Sequence, residues 1–142
     1  MLYQRMYSSR MRVKLSAYDL ERLLVKARDN NAKRQVTGVL LEVDDVFMQA
    51  LEGDKPVVTA LVRTIAGDAR HDGLTVILEQ PVDARSFTSW SMAHRTASAQ
   101  DVARWAALKS GTRIDAVLRE LKIRPTQLPT LALSIVAAMG DD

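Results

Sequence analysis

The order of periodic segments along the chain predicts an α+β fold, a ferredoxin-like βαββαββ sheet with two helices on one face and C-terminal helices on the other. Three observations carry the prediction. Short stretches of period two are interrupted by two stretches of helical period; a pair of aspartates splits two adjacent apolar runs as a hairpin would; and beyond residue 97 the composition turns to Ala, Leu and turn residues.

The elements follow in sequence. Residues 2–8 alternate as a first strand. Ser16 followed three residues later by Asp19 opens a helix in a capping-box-like pattern, with Leu20, Leu23, Leu24 and Ala27 as its apolar positions and Asn30 and Asn31 near its end. VTGVLLEV at 36–43 and VFMQALE at 46–52 form a hairpin about Asp44 and Asp45. A second helix carries Val58, Leu61, Val62 and Ile65, and LTVILE at 74–79 gives a fourth strand. Pro81 to Arg85 interrupts, and WSMA at 90–93 supplies the last strand. Right-handed crossovers put the first strand in the centre with the third on one side, leaving its other side for the last strands. Tyr7 is then expected between Gln49 and Trp90 or Met92. Further helices are expected from Ser98, over Asp115 to Lys122, and after Pro129. The last is amphipathic, suited to covering the open sheet face or to meeting a partner.

With 142 residues and 47% hydrophobic content, the chain suffices for one core. We place one α+β unit at residues 1–96 and a helical extension at 97–142, for output or oligomerisation. The formal charge is +3. Arg5, Arg10, Arg12 and Lys14 cluster without interleaved aromatics or a reading helix, which argues against nucleic acid. The absence of cysteine excludes disulfides, thiolate metal sites, thiol nucleophiles and a cysteine photoadduct, and it fits a reducing cytoplasm. No segment approaches the roughly 20 apolar residues that span a bilayer, so a soluble, unexported, cytoplasmic protein is expected. His71 and His94 alone assemble no metal site.

One residue breaks the pattern of a buried strand. In FMQALEG, Phe47, Gln49 and Leu51 share a face, and a buried carboxamide without partners costs about 1–3 kcal/mol. Gln49 must therefore answer another polar group. Tyr7 on the first strand, and Trp90 and Met92 on the last, are the candidates. A glutamine, a phenol and an indole beside one pocket point to a redox-active guest.

These residues resemble the BLUF family of blue-light sensors over about Leu2 to Ala93. The matching elements are YSS with Tyr7 and Ser9, ARDNN ending at Asn31, VTGVLL, FMQALEG with Gln49, DARH from Asp68 to His71, and RSFTSWSM with Trp90 and Met92. The resemblance implies a noncovalent flavin, as FAD, FMN or riboflavin, between the two helices. Asn31, with Asn30 nearby, would bind the polar edge of the ring. Asp68, Arg70 and His71 would lie at the ring or its ribityl side, while Leu23, Phe47, Leu51 and Ile65 supply apolar contact. It also implies light-driven electron and proton transfer with Tyr7 through Gln49, with Ser9, Trp90 and Met92 in the photochemical set. A reversible red shift would follow as the amide rotates or tautomerises.

The departures are Glu42 and Asp45 at the hairpin and Thr64 where some relatives carry an arginine; Arg63 is expected to point away. At this length no output enzyme is expected. The signal is expected to act through self-association, as a homo-oligomer, or through a separate effector protein. Two other classes compete. A flavin-free interaction module would stay colourless in excess flavin, and a small flavin-dependent redox enzyme would turn over a reductant.

Overall fold

The computed structural model describes residues 2–11, 15–67, 71–87, 92–108, 113–123 and 134–135. Among them the order is β1 (Leu2–Met11), α1 (Ala17–Lys33), β2 (Thr37–Val43), β3 (Val46–Asp54), α2 (Lys55–Ala66), β4 (His71–Pro81), β5 (Ala93–Ala97), α3 (Ala99–Trp105) and α4 (Ile114–Ile123). The expected βαββαββ order is present, followed by helices.

Local chemistry explains the boundaries. The Ser16 hydroxyl accepts from Asp19 N at 3.1 Å, capping α1. Pro56 in the first turn of α2 costs no helical hydrogen bond there. Asp44 takes a left-handed backbone, φ 55°, which lets β2 fold back on β3 in two residues. Gly38 is fixed by close approach, because a Cβ there would lie 2.2 Å from the Ala50 carbonyl oxygen on β3.

The sheet order is β4-β1-β3-β2-β5. β1 pairs antiparallel with both β3 and β4, β2 pairs antiparallel with β3, and β5 runs parallel to β2. This corrects the expected placement of the last strand. β4 alone takes the free side of β1, where Tyr7 faces Val76, and β5 lies at the opposite edge. The physical reason lies in the connection after Pro81, whose first residues are pinned to β3 and to the start of β2. Arg85 donates to Thr37 Oγ1 at 2.8 Å, to the Glu52 carbonyl at 2.9 Å and to the Gln35 carbonyl at 2.7 Å, leading the chain across the sheet. β5 also begins later than expected, at Ala93; Trp90 lies outside the described residues.

Both faces of the sheet are covered. On one, Tyr7, Leu40, Phe47 and Leu51 pack with Leu24 of α1, Val58 and Val62 of α2, and Met92. On the other, Met6, Val39, Leu41, Val43, Met48 and Ala50 pack with Val102, Ala103 and Trp105 of α3 and Ile114, Val117 and Leu121 of α4. The C-terminal helices thus close the second face, as their apolar spacing suggested. Of the third C-terminal helix only Ser134 and Ile135 are described; both are helical, and Ile135 is buried in this second core.

The basic cluster is tied into ion pairs where it is described. Arg5 pairs with Glu79, and Arg10 bridges Asp45 in the β2–β3 turn and Asp115 on α4, the latter at 2.8 Å. Arg12 and Lys14 lie outside the described residues.

Candidate functional site

The site is built on the face covered by α1 and α2. Strand alternation sends Tyr7 from β1 and Phe47, Gln49 and Leu51 from β3 to this face, and the antiparallel register sets Tyr7 directly opposite Gln49. Across the other ladder Gln49 opposes Leu40 of β2. The three side chains lie in a row across three strands.

Tyr7 is 1% exposed, and its hydroxyl has no hydrogen-bond partner among the described residues. Burial alone pushes the phenol far above its ordinary range, so Tyr7 stays protonated. Gln49 is half-buried, and its Nε2 donates to the Met92 sulfur at 3.4 Å. A thioether is a weak acceptor, so this contact orients the amide at little cost to reversing it. Met92 is 3% exposed and sits one residue before β5. Its carbonyl accepts from Arg28 Nε of α1 at 2.9 Å.

The remaining predicted residues fall as follows. Asn31 is buried in the last turn of α1, and its carbonyl accepts from Val36 N at 2.8 Å, which ties the helix end to β2. Asn30 is exposed. Ser9 is buried opposite Phe47. Ile65 is half-buried against the Tyr7 cluster. Leu23 is half-buried and stands outside that cluster, lining a surface cavity of about 400 Å³ with Leu15, Asp19, Arg22 and Lys26. Leu24 takes the inner place, because the helix turns the stripe Leu24, Arg28 and Asn31 toward the sheet. Asp68 and Arg70, like Trp90, lie outside the described residues, and for His71 only the backbone, paired with Met11, is described.

The departures noted in the sequence have local partners. Thr64 Oγ1 donates to the Ala60 carbonyl at 3.1 Å and Arg63 is exposed. Glu42 lies 3.4 Å from His94 Nε2 of β5 without a hydrogen bond to it, and Asp45 meets Arg10.

Two features escaped sequence reasoning. Arg28 reads as one more cation on a polar helix, with no signal for its partner. Glu52 did carry a signal, since it is a charge in the same buried run as Gln49. It is fully buried on the opposite sheet face, where its carboxyl accepts from Gln4 Nε2 at 2.9 Å, Ser86 N at 2.9 Å and Phe87 N at 2.8 Å. Gln80 Nε2 closes the network on Gln4 Oε1 at 3.2 Å. This network joins β1 and β3 to the start of the segment that leads to Met92.

Comparison with known proteins supplies the context of this row. The model of the BLUF family, described as sensors of blue-light using FAD, matches residues 2–93. The chain is 34% identical over 91 residues to the photoactivated adenylate cyclase subunit beta of Euglena gracilis, covering 63% of this chain and 11% of that protein. It thus spans about a tenth of that relative's length. Among solved structures, the dark state of BlrB, a BLUF protein, superposes with a TM-score of 0.74 at 27% identity, covering 96% of each chain. BlsA in its photo-activated state gives 0.68 at 28% identity, over 87% of this chain and 96% of that one.

Proposed function

The chain belongs to the BLUF family of flavin-based blue-light sensors, and we propose that its photochemistry runs through Tyr7, Gln49 and Met92. One observation carries this reading. A buried phenol without a partner among the described residues stands opposite a carboxamide whose nitrogen touches the Met92 sulfur. An unmet buried hydroxyl costs about 1–3 kcal/mol, and a polar ligand edge over the row would relieve it.

The residues fit a noncovalent flavin. Asn31 and Gln49 would meet its polar edge, while Leu24, Phe47, Leu51, Val62 and Ile65 would line its apolar faces. FAD is the form we propose, with FMN and riboflavin sharing the same ring. The family resemblance assigns Asp68, Arg70 and His71 to the ring or ribityl side, Asn30 to the ring edge's vicinity, and Ser9 and Trp90 to the photochemical set. When bound, the flavin supplies blue-light absorption and, once excited, an electron acceptor.

The chain's own part in the reaction starts at Tyr7 Oη. Burial keeps that oxygen protonated, so the donor is the neutral phenol, which sheds its proton on giving up an electron. Gln49 lies next along the row and, having a donor and an acceptor end, relays the proton and turns or tautomerises as it does so. The electron and proton then return to Tyr7, so there is no net redox change, and the reversed amide is what persists. A reversed amide no longer presents Nε2 to the Met92 sulfur. Met92 leads into β5, β5 ends at Ala97, and Ser98 caps α3, which gives the change a short covalent route to the C-terminal helices. We take residues 1–96 as the sensor and 97–142 as the output surface, acting on a second copy or on a separate effector protein.

Absorption spectra of Tyr7→Phe and Gln49→Leu test the relay. Both variants should bind flavin and lose the reversible red shift that blue light produces in the parent. A full red shift in either contradicts the assignment.

A further inference from the structure

Met92 is held at two points by two different elements. Its sulfur accepts from Gln49 Nε2 at 3.4 Å, and its carbonyl oxygen accepts from Arg28 Nε at 2.9 Å. The two bonds differ in kind. A neutral amide on a thioether is weak, whereas a guanidinium on a main-chain carbonyl is charge-assisted and shorter. The second bond holds the main chain at the entry to β5, where the first holds only the Met92 side chain. It also comes from α1, where Arg28 stands one turn before Asn31 and four residues after Leu24, on the face turned to the sheet. One helix face therefore carries both the proposed ring-edge contact and the grip on the strand that leads to α3.

We propose that Arg28 is a positioning residue of the photocycle: it holds the Met92 end of β5 in the dark arrangement, and its bond to the Met92 carbonyl is released in the signalling state. The proposal rests on the light-sensing reading above. A bond present in only one of two states shifts the balance between them, whereas a bond present in both does not. Reversal of the Gln49 amide frees the sulfur, the strand entry shifts, and the Arg28 bond is what draws it back. Arg28 does not touch the reacting Oη, so it governs the lifetime of the signalling state and not the size of the red shift.

Dark recovery of the flavin-loaded full chain after a blue pulse tests this, with Arg28→Met, which keeps the aliphatic stem but no donor, and Arg28→Lys, which keeps a cationic donor. Arg28→Met should show the parent red shift and recover roughly three- to tenfold more slowly, and Arg28→Lys should return most of the lost rate. A normal red shift with parent-like recovery in Arg28→Met overturns the proposal while leaving the relay intact, as does equal slowing in both variants. A parent chain with no red shift overturns the sensor reading itself, and the proposal with it. Should Arg28→Met fail to take up flavin, light-minus-dark infrared spectra of the parent, labelled with carbon-13 at the methionine carbonyl, decide the matter. A methionine carbonyl band that rises in frequency on illumination, and is missing in Met92→Leu, is expected. No methionine carbonyl change overturns the proposal.

Discussion

Gln49 and Glu52 stand three residues apart on β3 and face opposite ways, and the difference in how they are satisfied decides what each can do. Among the described residues, the Gln49 side chain has one weak sulfur contact, which costs little to break when the amide reverses. Glu52 accepts three hydrogen bonds in a fully buried setting, two of them from main-chain N–H groups, so it is a fixed anchor for the segment that starts at Ser86. Glu52→Gln sets an amide N–H₂ against at least one of those donors and strands it in the core. The expected cost is about 1–3 kcal/mol, seen as a lower urea midpoint at unchanged slope, and an unchanged midpoint would show that the network is not holding the segment.

At the scale of elements, α3 and α4 belong to the core on the second sheet face rather than to a loose tail. Ser98 and Asp101 form a reciprocal capping box, Ser98 Oγ accepting at 3.0 Å and Asp101 Oδ2 accepting at 3.1 Å, which fixes where α3 starts after β5. Leu121 of α4 is fully buried against the sheet cluster. Leu121→Ala should lower stability by about 2–5 kcal/mol in urea unfolding, whereas an exposed α4 would lose almost nothing. These helices were legible because Ser98, Asp101, Val102 and Trp105 supply both a cap and an apolar stripe. β1 to β4 were legible from alternation, though β1, β3 and β4 ran longer than the pattern and β2 starts one residue later than it, at Thr37. β5 was misplaced because the strand-like run RSFTSWSMA starts well before Ala93, where pairing begins. The strand is defined by the free edge of β2, a tertiary fact that periodicity does not carry. At the site, Tyr7 and Gln49 announced themselves as polar groups on apolar faces, and Glu52 sent the same signal. Arg28 did not, since a cation on an amphipathic helix looks alike whether it meets water or a carbonyl. Leu23 and Leu24 are adjacent, and only the helix's rotation against the sheet decides which goes inside.

For the whole molecule, the sheet separates two jobs. One face, with α1 and α2, holds Tyr7, Gln49 and Met92; the other, with α3 and α4, is a packed apolar layer; and the chain joins them through Met92, β5 and Ser98. Rearrangement of one amide can matter at that distance because Met92 is buried and bonded at both ends, so it has few intermediate positions to relax into. In the proposed relay, light reverses the hydrogen-bonding pattern of the Gln49 amide and leaves no net redox change. The most direct measurement is the absorption spectrum of the flavin-loaded protein in darkness, just after a blue pulse, and through recovery. A red-shifted flavin band that returns fully in the dark over repeated cycles is expected, whereas an unshifted band, or bleaching that does not reverse, would rule the relay out.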